Sequence, residues 1–178
     1  MNRSYAGLWM RVLAFALDYL IIAAYLVLLV AVSAVVNSAF PVVPATLFAN
    51  SVSSHITSFL LVILPVALYF ALLESSSSQA TWGKRKMGLR VIRTDGARLS
   101  RTRALSRTVL KFIPWELTHT LIWQIRFAPQ EPAPIVSAGF VLVWLLVGAN
   151  IVSLMMSKTH QTLYDRLAET YVVAEKDG

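Results

Sequence analysis

A long apolar run near the N-terminus constrains this chain more than any other feature. The run extends over residues 12–36 and contains one charged side chain, Asp18. At a rise of about 1.5 Å per residue, a helix of this length crosses a hydrocarbon layer about 30 Å thick. The run is also about twice as long as the apolar core of a secretory signal. We therefore predict an uncleaved helix that spans a membrane.

Asp18 is the main puzzle of this helix. A carboxylate inside a membrane span costs about 2.5–3.5 kcal/mol on insertion scales and needs a partner. Arg11 is the nearest candidate, seven residues or about two helical turns away on the same face. Because the two positions are about 10 Å apart along the axis, we expect another segment to complete the site.

The composition supports a membrane location. Of the 178 residues, 57% are hydrophobic and 14% are charged, whereas soluble domains carry about 25% charged residues. The absence of cysteine excludes disulfides, thiolate metal sites and acylation on sulfur. The chain contains no GxSxG, HExxH or P-loop motif, and we predict neither an enzyme nor a cofactor.

Four segments are candidates for membrane spans. They lie at about residues 12–36, 56–73, 109–127 and 135–156. Pro65 lies inside the second segment, where neighbouring helices can tolerate the kink. The third segment is the most polar, so a helix at the membrane interface is an alternative for it. Residues 37–55 are predicted to form a loop, and residues 1–11 an interfacial helix.

A basic block follows the second segment. Ten lysines and arginines, opposed by one acid, lie from Lys84 to Lys111, whereas the loop at 37–55 has no charge. Positive charge stays on the cytoplasmic side of membranes, which predicts a cytoplasmic loop at 74–108 and, with four spans, two cytoplasmic termini. The block begins with Lys84, Arg85, Lys86 and Arg90, and we expect it to lie near anionic headgroups.

Nucleic-acid binding by this block is not expected. Such binding uses exposed aromatic side chains on which bases stack, and residues 84–107 contain no aromatic residue.

Short elements are predicted in the polar segments. Residues 88–100 alternate apolar and basic residues around Asp95-Gly96, which is typical of a β-hairpin, and Ser100 is a candidate N-cap. In the tail, Thr162–Asp165 resembles a capping box, and Thr170–Val173 is a candidate additional strand of the hairpin.

Four polar residues are secondary candidates for function. Glu116 and His119 are three residues apart on one helical face, and such a pair can ligate a metal or relay protons. Metal sites need three or four ligands, so a hydrogen-bonded pair is the simpler interpretation and no metal site is predicted. Asn150 is expected to bond a neighbouring helix, and Arg166 follows Asp165 in the tail.

The arrangement resembles the RDD family of small bacterial membrane proteins, named for an arginine and two aspartates. Arg11 and Asp18 match the first two letters, and Asp165 matches the third. The segment at 79–96, QATWGKRKMGLRVIRTDG, is similar to the middle motif of the family. Glu169 stands where the family often has glycine.

The resemblance covers about residues 5–173, followed by a tail at 174–178. It implies one domain in a bacterial cytoplasmic (inner) membrane. The expected fold is an all-α membrane protein, a four-segment transmembrane helical bundle with a small cytoplasmic β-hairpin and a short amphipathic C-terminal helix. Some members of the family are described as sodium/proton antiporters, which implies sodium or protons as transported ions.

Two functional hypotheses follow. If the tail folds back, Arg11 can bridge Asp18 and Asp165. A transporter would then use Asp18 to exchange Arg11 for a cation or proton, as in antiport, or would carry a small solute. It would form a homo-oligomer, because four spans enclose little volume. Alternatively, the three residues are a structural charge cluster in a membrane scaffold that docks lipids or partners.

Overall fold

The computed structural model describes residues 4–127 and 134–174. In chain order the elements are β1 (Ser4–Tyr5), α1 (Leu8–Ala39), α2 (Val42–Leu47), α3 (Ser51–Ser58), a π-helical turn (Phe59–Ile63), α4 (Leu64–Glu74), α5 (Trp82–Lys86), β2 (Leu89–Arg93), α6 (Arg101–Phe127), α7 (Pro134–Met156), α8 (Leu163–Leu167) and β3 (Thr170–Ala174).

Three helical stretches within the described residues are long and apolar enough to cross a membrane. They are Leu8–Ala39, Ser51–Glu74 and Pro134–Met156, and they coincide with the first, second and fourth predicted segments. The predicted segment at 109–127 belongs instead to the longer and more polar helix α6, which begins in the basic block. The number of four crossings therefore stays a prediction.

Helix α6 is continuous over 27 residues despite Pro114 in its interior. Ser100 caps its start as predicted, because the backbone nitrogen of Arg103 donates to the Ser100 hydroxyl at 3.2 Å. The predicted basic helix and the third predicted span are thus parts of one continuous helix. It connects the basic end of the molecule to the opposite end.

Proline shapes the second span. Pro65 has no N–H to donate to the carbonyl of Leu61, four residues earlier, and its ring crowds that carbonyl. The helix widens to a π-helical turn directly before it, as is common where the regular hydrogen-bond ladder is interrupted. The hydroxyl of Tyr25 in α1 donates to the Leu61 carbonyl at 2.5 Å, and this bond joins the first two spans.

The connection between these spans is more ordered than the predicted loop at 37–55. Helix α1 continues to Ala39, and the short helices α2 and α3 follow. Asn50 and Ser53 form a reciprocal capping box at the start of α3. Local helix formation satisfies backbone groups that a bare loop would leave to solvent or lipid.

A small antiparallel sheet joins the two ends of the described chain. Its order is β1–β3–β2, with Tyr5 opposite Val173 and Val91 opposite Val172. The predicted hairpin is present in reduced form, closed by one bridge between Ile92 and Arg98. The strand predicted in the tail is confirmed.

The prediction of a helix over residues 1–11 was wrong at Ser4 and Tyr5, and residues 1–3 lie outside the described part of the chain. The described lead forms β1, because its backbone groups pair with β3, and helix α1 begins only at Leu8.

The apolar core lies under this sheet. Its buried members are Ala6, Ala14, Leu89, Val91, Leu99, Ala104 and Val172. In contrast, the long spans expose large apolar side chains such as Val27 and Val30, as expected of surfaces that face lipid. The core fixes α5 and the sheet against the first turns of α1, where the candidate site lies.

Candidate functional site: a buried charge network beside a cavity

Helix α1 presents one face to the short helix α5 and to the residues under the sheet. Ala14 and Asp18 are its buried residues, and they lie four residues apart, on adjacent turns. Arg11 precedes them on the same stripe. The short helix α5 packs on this face, so Gly83 in α5 contacts the carboxylate of Asp18 directly.

Asp18 is held by three hydrogen-bond donors without a formal charge. Its Oδ1 accepts from the hydroxyl of Tyr69 and from the backbone nitrogen of Gly83, each at 2.7 Å. Its Oδ2 accepts from the hydroxyl of Thr81 at 2.6 Å. Within residues 4–127 and 134–174, Asp18 forms no ion pair. Three such bonds satisfy a carboxylate that is 1% exposed.

Gly83 permits this contact. A Cβ atom at this position would lie 2.0 Å from the carbonyl oxygen of Ala14 and 2.9 Å from Cγ of Asp18. Only a residue without a side chain allows α5 to approach α1 so closely. Thr81 also caps α5 by accepting from the backbone nitrogen of Lys84. The sequence TWGK thus forms the wall around Asp18.

A chain of buried ion pairs lies next to Asp18. The guanidinium of Arg107 donates to Glu74 Oε2 at 2.5 Å and to Asp165 Oδ1 at 2.6 Å. Lys84 completes the pairing of Glu74, and Arg11 completes that of Asp165 at 2.6 Å. Glu74 and Asp165 are fully buried. Each therefore has two cationic partners in a region where an unpaired charge would be costly.

Asp165 is placed by local sequence. The predicted capping box is present: Thr162 and Asp165 exchange side-chain and backbone bonds at the start of α8. Burial alone would raise the pKa of Asp165, but the charges of Arg107 and Arg11 hold that pKa well below its ordinary value. Asp165 is thus a permanent anion near neutral pH.

The predicted bridge from Arg11 to both aspartates is half right. Arg11 binds Asp165, and it also donates to the carbonyls of Ala6 and His160, at 3.0 Å and 2.5 Å. Within the described residues it forms no hydrogen bond or ion pair with Asp18. The physical reason is that α5 covers Asp18 and supplies donors at shorter range.

Two central members of the network were not among the sequence candidates. Glu74 and Arg107 connect the second span, α6 and the tail, yet each looks like an ordinary charge at the end of a hydrophobic segment. One feature of the sequence could have identified Glu74 as a candidate: it is the sole acid between residues 56 and 81.

A cavity of about 540 Å³ opens beside the network, between α1, α6, α7 and α8. Asp18, Arg11, Lys84 and Arg107 reach its wall, and most of the other lining residues are apolar, including Phe15, Trp115, Val143 and Trp144. Lys111 also lines the cavity, with its ammonium 3.2 Å from the centre of the Phe70 ring. Within the described residues, Lys111 forms no ion pair.

The other candidates lie apart from one another. Asn150 donates to the carbonyl of Leu146 and accepts from the backbone nitrogens of Leu163 and Tyr164, so it connects α7 to α8. Arg166 is exposed on α8.

The start of the basic block is divided between the network and the surface. Lys84 is buried in the network, whereas Arg85, Lys86 and Arg90 are exposed. The ammonium of Lys86 lies 5.9 Å from the centre of the Trp82 ring.

Glu116 and His119 lie at the other end of the molecule, where His55 joins them. One ligand atom from each of the three residues lies within 4.8 Å of the other two. The sequence paired Glu116 with His119 but did not bring His55 to them, because the contact links α3 and α6 across 61 residues.

The profile of the RDD family matches residues 5–169. The protein described as uncharacterized protein YxaI, from Bacillus subtilis (strain 168), is 30% identical over 109 residues, which make up 57% of this chain and 72% of that protein. No solved structure gives a significant match.

Proposed function

This chain belongs to the RDD family and is a membrane protein with at least three helices suited to span a bilayer; we propose that it is a transporter that binds a small anionic solute in the cavity beside the charge network. The observation that carries the proposal is Lys111 in the wall of that cavity, where its ammonium contacts the Phe70 ring and, within the described residues, forms no ion pair.

The charge balance supports an anion. Arg11, Lys84 and Arg107 are offset by three buried acids, Asp18, Glu74 and Asp165. Lys111 adds a fourth basic side chain to this group, and within the described residues it forms no ion pair; an anion bound beside it in the cavity would favour its charged form. A cation in a surrounding of low dielectric attracts an anion far more strongly than a cation in water does.

The cavity also fits the size and polarity of a small organic anion. Its volume of about 540 Å³ lies in the range of ligand pockets, about 300–1,000 Å³, and such pockets combine apolar walls with few polar groups. The apolar walls would hold a ring or short chain, and Lys111 would bind the anionic group. Charged residues within membrane segments are candidates for a transport pathway by default.

A second candidate is cation/proton antiport at Asp18, which the family resemblance suggests. One observation favours it: Asp18 lines the cavity and is held by uncharged groups alone. The hydroxyl oxygens of Tyr69 and Thr81 would complete a set of oxygen ligands for sodium, the ligand type that hard cations prefer. In this case Arg11 and Asp165 support the site from a distance.

The non-transporting scaffold is the third reading. The ion pairs of Arg107 join α4, α6 and α8, and such a cluster can fix an arrangement of helices without moving a solute. In that case the exposed Arg85, Lys86 and Arg90 would dock anionic headgroups or partners. We place the protein, under each reading, in the bacterial inner membrane with the basic end and both termini in the cytoplasm, as a homo-oligomer and without enzymatic activity.

The test uses purified protein in sealed liposomes with two readouts. The first is uptake of radiolabelled benzenesulfonate, a permanent anion with an apolar ring, compared with the neutral benzenesulfonamide. The second is a trapped pH dye with pulses of sodium, lithium or potassium. The variants are Lys111→Met, Asp18→Asn and, as a matched control for loss of a lysine, Lys86→Met.

Each outcome selects one reading. Saturable uptake of benzenesulfonate that falls about tenfold in Lys111→Met and persists in Lys86→Met supports the anion transporter. A sodium-dependent proton flux that is lost in a folded Asp18→Asn protein supports antiport instead. If inserted wild-type protein moves neither, transport is overturned and the scaffold remains.

A further inference from the structure

We propose that His55, Glu116 and His119 form a binding site for a divalent transition-metal ion, with zinc the ion that best fits the ligands. One ligand atom of each residue lies within 4.8 Å of the other two. This site is independent of the cavity and of the transport proposal.

Helix geometry brings the three side chains together. Glu116 and His119 are three residues apart in α6 and therefore lie on one face. His55 lies opposite them in α3, with its Nε2 atom 2.7 Å from Glu116 Oε1. The two imidazole rings have centroids 4.8 Å apart. The capping box of Asn50 and Ser53 fixes the start of α3, so His55 is held by a defined helix rather than by a loop.

Two buried atoms in this cluster lack a hydrogen-bond partner. They are Glu116 Oε2 and His119 Nδ1, and they face each other at 3.4 Å. Buried polar atoms are rarely left unpaired, and each such pair needs an explanation. An ion between them would satisfy both. Two ligand atoms bound tetrahedrally to zinc at about 2.0–2.1 Å are about 3.3 Å apart.

The surrounding hydrogen bonds orient His119 as a ligand. Its Nε2 atom lies 2.6 Å from the hydroxyl of Ser58. That hydroxyl donates to the Ser54 carbonyl at 2.7 Å and accepts from the Trp123 indole at 2.7 Å. The indole nitrogen of Trp123 also lies 3.2 Å from Nε2, so Ser58 and Trp123 both contact Nε2, whereas Nδ1 faces Glu116. A second hydrogen bond on the opposite ring nitrogen is the usual support of a metal-binding histidine.

The ligand types select the ion. Two imidazole nitrogens and one carboxylate oxygen suit zinc, whereas calcium and magnesium prefer oxygen ligands alone. The side chains of His55 and Glu116 are 32% and 31% exposed, so a fourth position is open to water or to another ligand. Zinc sites with three protein ligands keep such an open position.

The site lies far from the charge network. His55 and Glu74 are nineteen residues apart in the same span, or about 28 Å at 1.5 Å per residue. An ion here would bind α3 to α6 at the end opposite the basic block. We therefore expect substitutions at this end to leave the ion pairs of Arg107 intact, so that a loss of metal binding cannot be attributed to damage to the charge network.

The test uses the full chain, purified in detergent and treated with a chelator. Cobalt(II) is titrated while its visible absorption is recorded, because tetrahedral coordination gives intense bands, and zinc is then added as a competitor. The variants are Glu116→Gln and His119→Gln. The matched control is His160→Asn, which removes the third histidine of the chain, located outside the cluster.

We expect one cobalt ion per chain, displaced by zinc, and an affinity that falls about tenfold or more in both variants. We also expect zinc to raise Tm in the wild type and in His160→Asn but not in Glu116→Gln. The Tm of each metal-free variant reports whether it is folded. Equal affinity in folded Glu116→Gln and wild type, or loss of binding in His160→Asn alone, would overturn the site.

Discussion

The backbone nitrogen of Gly83 lies 2.7 Å from Oδ1 of Asp18, where α5 meets α1. Because a Cβ at residue 83 would lie 2.0 Å from the Ala14 carbonyl oxygen, Gly83→Ala must separate the two helices. We expect a loss of about 1–3 kcal/mol or more in the free energy of unfolding, measured by thermal unfolding in detergent.

The matched control for this substitution is Gly148→Ala in α7. A Cβ at Gly148 meets nothing within 4 Å, and alanine is the better helix former by about 1 kcal/mol. Gly148→Ala should therefore leave Tm unchanged or raise it. Similar losses in both variants would contradict the close contact at Asp18.

Arg107 is the second position where a single substitution should be severe. Arg107→Gln leaves Glu74 and Asp165 buried with one cationic partner each, and breaking a buried pair in this way costs about 3–5 kcal/mol. The control is Arg103→Gln, which removes a largely exposed ion pair with Glu169 and should cost below about 1 kcal/mol. Chemical unfolding of both variants gives the comparison, and equal costs would show that the network adds little.

Asp165 should make stability depend on pH in the acid range. Its pKa is held below the ordinary value by Arg107 and Arg11 against the opposing effect of burial. A carboxyl whose pKa is lowered in the folded state contributes stability that is fully present above its unfolded pKa, about 3.9. This contribution is lost as pH falls through the folded pKa. We therefore expect Tm to decline below about pH 4.

Asp165→Asn tests the origin of that decline. The variant should be less stable near neutral pH, because Arg11 loses its acidic partner and Arg107 loses one of its two. Its Tm should fall less steeply in acid. An acid decline as steep in Asp165→Asn as in the wild type would assign the effect to other carboxylates.

Tyr25 gives a prediction within the membrane region. Its hydroxyl donates to the Leu61 carbonyl, which cannot accept the usual helical bond from residue 65 because proline has no N–H. Tyr25→Phe should cost about 0.6–2 kcal/mol, the range of hydrogen bonds between membrane helices. Tyr19→Phe, which changes an exposed ring on the same helix, should cost little. A Tyr19→Phe protein that is as destabilised as Tyr25→Phe would argue against the bond.

Local signals in the sequence were sufficient for several elements. Hydropathy located three spans, and the caps at Ser100 and Thr162 lie where helices α6 and α8 begin, because a cap depends on residues within one helical turn. The pairing of Arg11 with Asp165 was also found, although it depends on tail folding that no local pattern encodes.

Long-range partners could not be predicted in the same way. The donors to Asp18 come from Tyr69, Thr81 and Gly83, more than fifty residues away. Their hydroxyl and amide groups carry no charge that would single them out as partners of an acid. His55 was missed for a similar reason, since only the packing of α3 on α6 brings it to Glu116.

Glu169 shows how a departure from a family pattern can be explained by the backbone. Its φ angle is 51°, in the left-handed region where glycine is the least strained residue. The glycine often found at this position in the family therefore matches the conformation. In this chain the side chain of Glu169 compensates in part, through its contact with Arg103 at 2.5 Å.

The strand order β1–β3–β2 has a consequence for biosynthesis. The central strand of the sheet is the last of the three to be translated, so β1 and β2 have no common neighbour until residues 170–174 leave the ribosome. Asp165 emerges just before them, and until then Glu74 is the one acidic partner of Arg107 among the described residues. The spans can therefore enter the bilayer during synthesis, whereas the sheet and the charge network can form completely only after β3 is translated.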